Sequence, residues 1–380
     1  MNNLLKNIQE SFVLKLNEEA KQKQKEGAVV YNLTIGQLNF EPPEIVVRNL
    51  ENSLKKKDVY GYSSSQGIPA LRKSVLSFME KERNISLLNK EVLISNGVKQ
   101  ALYVALKACV NPKDNVGIIE PYWLSYPALI EMNYGKIIKI KHKNFLPNLS
   151  DLEKKIHKLK VLIINNPNNP SGVLYDEEFL KKLALVLKKN PQIIIFSDEI
   201  YSDLVNDSFK NYYHYEPSLL ENSIIFHGPS KSMAISGLRL GFAIASKSII
   251  DSMTLVQSHV SSNVCHLLQD ALKDYPVDQS FLNKVKIFLT DQRKSIKNIL
   301  TKHKLKKLYY ETDGAFYFLL SLKKLGIHDS SIDVAKKLAD KNIYVTPSSL
   351  FGIEGFLRLS LSVSNTVLEK GLENLLKELL

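Results

Sequence analysis

Between about residues 90 and 230, the chain alternates short apolar segments with longer stretches of helical periodicity. This alternation predicts parallel strands that are joined by helices. The letters VLIINN predict a strand over 161–164, and DEEFLKKLALVLKKNP predicts a helix with acidic residues in its first turn and lysines in its last. Because IIIFSDEIY then predicts another strand, this stretch forms a βαβ unit.

Polar clusters follow three of the predicted buried strands, at residues 165–172, 197–201 and 227–231. In open α/β sheets, ligands bind beyond the carboxyl ends of the strands, so we expect these clusters to contribute to one site. A fourth segment, EVLISNGVKQALYVALKACV, predicts a strand, a turn at Asn96 and Gly97, and a helix. The first backbone N–H groups of that helix could bind a phosphate, although a glycine turn before a helix is common without any ligand.

Beyond about residue 280 the pattern changes to a long charged helix followed by shorter mixed elements. The fold class we expect is therefore α/β, with a large domain whose central sheet is mostly parallel and flanked by helices. A smaller α+β domain would follow it, and a long helix at about 275–300 would bridge the two.

The composition, with 380 residues, 44% hydrophobic and 24% charged, is that of a soluble globular protein and excludes disordered or collagen-like chains. No apolar run reaches the roughly 18 residues of a membrane helix, and Lys6, Glu10 and Lys15 interrupt the N-terminal apolar stretches. We therefore expect a cytoplasmic protein without a signal peptide. Cys109 and Cys265 are too few for a disulfide framework or a metal site, and we expect both thiols to be buried.

The excess of 51 Lys and Arg over 39 Asp and Glu gives a net charge of +12, which could indicate nucleic-acid binding. However, the lysines are scattered over helical stretches such as 21–26, 55–57 and 302–307, and no aromatic residues are interleaved with them. We interpret them as a solvated surface whose field attracts small anions rather than nucleic acid.

The segment GPSKSMAISGLRLG (228–241) places Lys231 just past a strand end and Arg239 eight residues later. A desolvated lysine has a lowered pKa, and its neutral amine can form a Schiff base, although an ordinary surface lysine is the more frequent explanation of a single lysine. This segment resembles the lysine signature of the class I/II pyridoxal-phosphate aminotransferases, the aspartate aminotransferase-like enzymes of fold type I. The resemblance spans nearly the whole chain, and its other motifs are LTIGQLNFEPP (33–43), YGYSSSQGIPALR (60–72), SNGVKQAL (95–102), EPYWLSYP (120–127), NNPNNPSG (165–172), SDEIY (197–201), DGAFY (313–317) and RLS (358–360).

The resemblance implies an N-terminal arm over 1–40 that joins the small domain, a large cofactor-binding domain over 41–280 and a small C-terminal domain over 281–380. It also implies the catalytic residues. Lys231 would hold pyridoxal 5'-phosphate as a Schiff base and move the proton of the substrate, while Asp198 would keep the pyridine nitrogen protonated. Tyr201 and Asn169 would donate hydrogen bonds to the phenolic oxygen of the cofactor.

The other implied contacts of the cofactor surround its ring and its phosphate. Trp123 would stack on the pyridine ring and also border the substrate. The phosphate would contact Val98, Lys99, Arg239, Ser230 and Tyr62. In this family the tyrosine matching Tyr62 comes from the partner subunit, which implies a homodimer.

For the substrate, the resemblance implies that Arg358 binds the α-carboxylate through two parallel hydrogen bonds, with Gly36 and Asn169 assisting. Lys99 matches a lysine that can meet a distal carboxylate in one bacterial subgroup. Ser11 lies near the matching N-terminal segment, where Val13 replaces an expected polar residue. The implied substrates are aspartate or glutamate with 2-oxoglutarate, while neutral, aromatic or unusual amino acids stay open.

The implied activity is ping-pong transamination between an L-amino acid and a 2-oxo acid. A lyase of the β-elimination, C–S lyase type on the same fold is the alternative enzyme, and a cofactor-binding regulator is an alternative from another class. Five positions depart from the usual motifs, because Gly228, Pro229 and the stretch 37–39 carry residues that are uncommon there. They concern phosphate contacts and the loop near the α-carboxylate more than the chemistry.

Overall fold

The computed structural model describes residues 12–380 of the protein. The helices in this range are α1 (Phe12–Lys25), α2 (Glu44–Leu54), α3 (Pro69–Arg83), α4 (Val98–Cys109), α5 (Ser125–Met132), α6 (Leu149–Lys155), α7 (Glu177–Lys188), α8 (Pro229–Ser232), α9 (Lys247–Val260), α10 (His266–Ala271), α11 (Gln279–Lys302), α12 (Ser331–Asp340) and α13 (Asn365–Leu379). The strands are β1 (Tyr31–Asn32), β2 (Lys90–Ser95), β3 (Asn115–Ile119), β4 (Lys136–Ile140), β5 (His142–Lys143), β6 (Leu146–Pro147), β7 (Val161–Asn165), β8 (Ile194–Asp198), β9 (Ser223–His227), β10 (Gly241–Ser246), β11 (Tyr317–Ser321), β12 (Ile343–Tyr344), β13 (Thr346–Pro347) and β14 (Phe356–Ser360).

Seven strands form a central sheet in the order β2-β10-β9-β8-β7-β3-β4. All neighbours are parallel except β10, which runs antiparallel to both β2 and β9. The predicted βαβ unit is confirmed as β7, α7 and β8. Asp176 caps α7 by accepting a hydrogen bond from the backbone N–H of Phe179.

Helices cover both faces of this sheet, which is why its middle strands are apolar and buried rather than alternating. On one face, α4 and α9 pack against aromatic side chains such as Phe196 and Phe226. On the other face, α3 and α7 pack against residues that include Ile195 and Phe242. The predicted mostly parallel α/β sheet is therefore confirmed.

A smaller antiparallel sheet, in the order β11-β14-β13, packs with α11, α12 and α13 around a second apolar cluster. The N-terminal strand β1 pairs in parallel with β12, next to this cluster. The predicted long helix is α11, whose Phe281 and Leu289 pack in the same cluster as Leu204, which follows β8. The expectation of two buried cysteines is not met, since Cys109 is only half-buried and Cys265, which precedes α10, is exposed.

Candidate active site

A cavity of about 760 Å³ opens beyond the carboxyl ends of β2, β7, β8 and β9. Eleven of the twelve site residues expected from the sequence line this cavity, namely Gly36, Val98, Lys99, Trp123, Asn169, Asp198, Tyr201, Ser230, Lys231, Arg239 and Arg358. Tyr62 does not, because its side chain is 91% exposed on the outer surface. Strand-end clusters that are distant in sequence are thus brought together.

Lys231 projects into the cavity from α8, the four-residue helix that follows β9. Its Nζ donates a hydrogen bond to the carbonyl oxygen of Gly36 at 2.6 Å and lies 5.7 Å from the ring centre of Phe316. Burial, assisted by the positive charges of Arg239 and Arg358, lowers the pKa of Lys231 to about 8. More of this amine is therefore neutral and nucleophilic near neutral pH than in an ordinary lysine.

Asp198 is the last residue of β8 and is only 3% exposed. Its Oδ2 accepts a hydrogen bond from the hydroxyl of Tyr126 at 2.6 Å, and its Oδ1 accepts one from the backbone N–H of Ile200 at 3.3 Å. Burial raises the pKa of Asp198 to about 6, and the two hydrogen bonds oppose that rise. The carboxylate is thus poised to pair with a cation in the cavity.

Asn169 and Tyr201 form a hydrogen-bonded pair at the floor of the cavity. The amide Nδ2 of Asn169 donates to the Tyr201 hydroxyl at 3.2 Å, and that hydroxyl lies 3.3 Å from the hydroxyl of Tyr317. The backbone N–H of Asn169 donates to Oδ1 of Asn165 at 2.8 Å. The amide and hydroxyl groups are therefore fixed before any ligand binds.

Arg358 enters from β14 with its guanidinium 3% exposed. Its Nη1 donates to Oδ1 of Asn169 at 3.1 Å, and its Nη2 donates to the carbonyl oxygen of Thr34 at 3.0 Å. The guanidinium carbon lies 4.3 Å from the ring centre of Tyr317. Because no carboxylate within residues 12–380 pairs with this cation, it is free to bind one from a ligand.

The N-terminus of α4 forms a second cationic end of the cavity. Among residues 12–380, the backbone N–H groups of Val98 and Lys99 have no acceptor, as expected for a first helical turn. Gly97 has φ +76° and lies so close to Arg239 that an added Cβ would be 2.5 Å from its Nη2. The charge of Arg239 and these N–H groups suit an anion, and the buried Ser230 also lines this part of the cavity.

Trp123 and Lys99 share one wall of the cavity. The Nζ of Lys99 lies 5.1 Å from the ring centre of Trp123, which in turn packs edge-on against Tyr126. Burial and the nearby charge of Arg239 lower the pKa of Lys99. Trp123 thus presents a flat aromatic surface whose orientation is fixed from behind.

The loop that carries Tyr62 is held rigidly even though the tyrosine is exposed. Gln257 of α9 donates to the carbonyl oxygen of Ser65 at 2.6 Å, and Gln269 of α10 donates to Oγ of Ser63 at 3.0 Å. The side-chain oxygen of Gln269 also accepts from the backbone N–H of Ile68 at 2.9 Å. The exposed ring therefore projects from an ordered support.

Helix α1 closes another side of the cavity, where Val13 and Lys21 are lining residues. Asn17 is linked to the site by a short chain of hydrogen bonds, because it accepts from Asn32 Nδ2 at 2.9 Å, and Asn32 accepts from the hydroxyl of Thr34 at 2.7 Å. Ser11, which the sequence also suggested, lies outside the described residues.

Two contributors were missed by sequence reasoning, Tyr126 and Tyr317. Both lie in motifs that carried the family resemblance, but neither motif shows which side chain touches Asp198 or Arg358.

Within residues 12–380 there is no cluster of three His, Cys, Asp or Glu side chains suited to a metal ion. In the same range no helix has the length and apolar character needed to span a bilayer.

Comparison with known proteins agrees with this geometry. The family described as aminotransferase class I and II matches residues 28–375. An aspartate aminotransferase of Thermotoga maritima is 32% identical over 96% of this chain and 95% of its own, and a probable aspartate/prephenate aminotransferase of Rickettsia felis is 30% identical over 96% and 93%. The solved aspartate aminotransferase from Thermus thermophilus with maleate has a TM-score of 0.91 at 25% identity and covers 100% of this chain and 99% of that one.

Proposed function

Since the chain belongs to the class I and II aminotransferases and is an aminotransferase, we propose that it moves the amino group of an L-amino acid to a 2-oxo acid with pyridoxal 5'-phosphate as its cofactor. The observation that carries this proposal is the convergence of three groups on one cavity. These are the amine of Lys231, the buried carboxylate of Asp198 and the cationic N-terminus of α4.

The residues present fit this cofactor. The N–H groups at the start of α4, next to Arg239, suit a phosphate, and the missing side chain of Gly97 lets the guanidinium of Arg239 approach this terminus. The buried Asp198 carboxylate suits a protonated ring nitrogen. When bound, pyridoxal phosphate supplies an aldehyde that forms a Schiff base with amines and a ring that withdraws electrons from the substrate Cα. Trp123 would border that ring, and Asn169 and Tyr201 would donate hydrogen bonds at its oxygen.

The protein's own residues then hold the substrate and move its proton. The guanidinium of Arg358, backed by the ring of Tyr317, would bind the α-carboxylate through two parallel hydrogen bonds. This contact would fix the substrate Cα near Lys231, whose neutral amine would take the Cα proton and pass it to the cofactor carbon that keeps the amino group. Gly36, whose carbonyl already holds Lys231, lies at the same end of the cavity.

We propose dicarboxylic substrates, namely aspartate or glutamate with 2-oxoglutarate. The names of the relatives refer to aspartate and to aspartate or prephenate, and the Thermus structure contains maleate, which is a dicarboxylate. Lys99 supplies a second cation at a distance from Arg358 for the distal carboxylate. Neutral or aromatic amino acids are the competing substrate class, because the cavity is large enough to hold an aromatic ring.

We also propose a cytoplasmic homodimer in which Tyr62 enters the site of the partner subunit. Its exposure on a loop anchored by Gln257 and Gln269 supports this arrangement. The proposed division is an N-terminal arm over 1–40, a large cofactor-binding domain over 41–280 and a small domain over 281–380.

Reduction of the cofactor-loaded protein with borohydride, followed by peptide mapping, tests the cofactor and the lysine together. We expect the tag on Lys231 in the wild type and no tag in Lys231→Ala. A tag on another residue would overturn the assignment. Incubation with each amino acid but without any 2-oxo acid should then give one equivalent of oxo acid per site, whereas continuous release of ammonia would indicate elimination instead.

A further inference from the structure

Three polar side chains meet behind the cavity without lining it. Arg83 ends α3, Asp203 lies in the 3-10 turn Ser202–Leu204, and His227 ends β9. All three are more than nine-tenths buried. Arg83 Nη2 donates to Asp203 Oδ1 at 2.8 Å, and His227 Nε2 lies 3.0 Å from the same oxygen.

These contacts join the two loops that carry the proposed catalytic groups. Asp203 follows Tyr201 by two residues, and Arg83 also donates to the hydroxyl of the intervening Ser202 at 2.5 Å. His227 precedes Lys231 by four residues, and its Nδ1 contacts the backbone N–H of Gly228. The imidazole therefore lies between Asp203 on one side and the start of the lysine turn on the other.

Arg83 and Asp203 form an ion pair although both are buried. Burial opposes ionisation of Asp203, but His227 and Arg83 together hold the pKa of that carboxyl well below its usual range. Removing one member of such a group leaves an unpaired buried charge, so the arrangement resists distortion. The ring of His227 is also stacked on Phe242 of the neighbouring strand, with the planes 5° apart.

We propose that His227, held by Asp203 and Arg83, is a positioning residue that fixes the turn at 228–231 and thereby the amine of Lys231. The proposal depends on the proposed role of Lys231. It also explains how a turn that begins with Gly228 and Pro229 holds its lysine firmly. Four charged groups act on the Lys231 amine in the cavity, namely Arg239, Arg358, Asp198 and Lys99, and a fixed turn keeps the amine among them.

The variant His227→Phe tests this proposal because it keeps the ring and its packing on Phe242 but removes both ring nitrogens. His227→Gln restores a polar contact toward Asp203, and Tyr212→Phe is the matched control. Tyr212 contacts Ser223 at the opposite end of β9 through a 2.8 Å hydrogen bond. Steady-state kinetics give kcat and KM, and acylation of Lys231 in the cofactor-free protein at several pH values gives the pH midpoint of its amine.

We expect His227→Phe to lower kcat about 10- to 100-fold with little change in KM, as for a misplaced catalytic group. The midpoint of Lys231 should rise by about half a pH unit or more, because a loosened amine is better solvated. His227→Gln should partly restore kcat and the pH midpoint of Lys231, and Tyr212→Phe should change neither of these two quantities. The proposal would be overturned if His227→Phe left both kcat and the pH midpoint of Lys231 unchanged. It would also be overturned if Tyr212→Phe, at the same thermal stability, lowered kcat as much as His227→Phe does. If the wild type itself carries no reducible adduct at Lys231, the proposed function fails first.

Discussion

The hydroxyl of Tyr126 donates a 2.6 Å hydrogen bond to the carboxylate of Asp198. Tyr126 lies in the first turn of α5, and Asp198 is the last residue of the buried strand β8. The hydrogen bond opposes the rise in the pKa of Asp198 that burial causes. A residue outside the cavity lining thus adjusts the charge of the group that faces the proposed cofactor ring.

Tyr126→Phe should therefore weaken binding of the cofactor. Without this donor the pKa of Asp198 moves above about 6, so more of the carboxyl is protonated at pH 7 and cannot pair with a cation. A hydrogen bond to a charged group is worth about 1.5 to 3 kcal/mol, which corresponds to a dissociation constant about 10- to 100-fold higher. Equilibrium titration with pyridoxal phosphate at pH 7 and at pH 8.5 measures this change in the dissociation constant. The defect should shrink at pH 8.5, and a defect that is constant with pH would contradict this explanation.

Replacement of Arg358 separates its two roles. Arg358→Ala should weaken amino-acid binding by about 2 to 4 kcal/mol, since the substrate carboxylate loses a paired guanidinium. It should also raise the pKa of Lys231 above about 8, because a nearby positive charge is removed while burial stays. Arg358→Lys keeps the charge and should therefore leave that pKa nearly unchanged while still losing the parallel hydrogen bonds. Binding titrations and the pH profile of Lys231 acylation distinguish the two variants.

The positions of Lys231, Asp198 and Asn169 could be predicted because each lies at or just past the end of a buried strand, and parallel strands end at one edge of the sheet. The hydrogen bond of Tyr126 could not, since a helix face seen in sequence does not reveal which strand end it covers. The cluster of Arg83, Asp203 and His227 was missed for a similar reason. It joins three segments that are far apart in the chain. His227 begins a polar cluster that the sequence shows, but no local pattern indicates that Arg83 and Asp203 contact it.

Lys99 should determine the preference for dicarboxylic substrates. Lys99→Met keeps the length of the side chain but removes its charge, so the ratio of kcat/KM for aspartate to that for a neutral amino acid should fall about 10- to 100-fold. Lys99→Arg keeps the charge and should retain most of the ratio. The backbone N–H at this position is unaffected, which leaves the proposed phosphate contact in place. An unchanged ratio in Lys99→Met would assign the distal carboxylate to another group.

Gly97→Ala should damage the proposed phosphate site. Gly97 has φ +76° and ψ 162°, a backbone conformation that is essentially restricted to glycine and costs other residues about 1 to 3 kcal/mol. The new Cβ would also lie 2.5 Å from Nη2 of Arg239, so the guanidinium would have to move. We expect cofactor affinity to fall about 10-fold or more while the protein stays folded. Gly237→Ala is the matched control, because it lies in the same loop as Arg239 and a Cβ there meets nothing within 4 Å. Equal losses of cofactor affinity in both variants would show that the loop carrying Arg239, rather than the close contact of Gly97 at the start of α4, is responsible.

Hybrid dimers test whether Tyr62 acts in the partner's site. Tyr62→Phe should weaken cofactor binding, and Lys231→Ala should be inactive, so each homodimer is impaired at limiting cofactor. In a hybrid of the two, one site combines the intact Lys231 of one subunit with the intact Tyr62 of the other, and activity should return to about half of the wild type. Separately tagged subunits allow the hybrid to be purified, and a mixture before subunit exchange is the control. If Tyr62 served its own subunit, that single lysine-bearing site would still lack the hydroxyl and the hybrid would show no recovery.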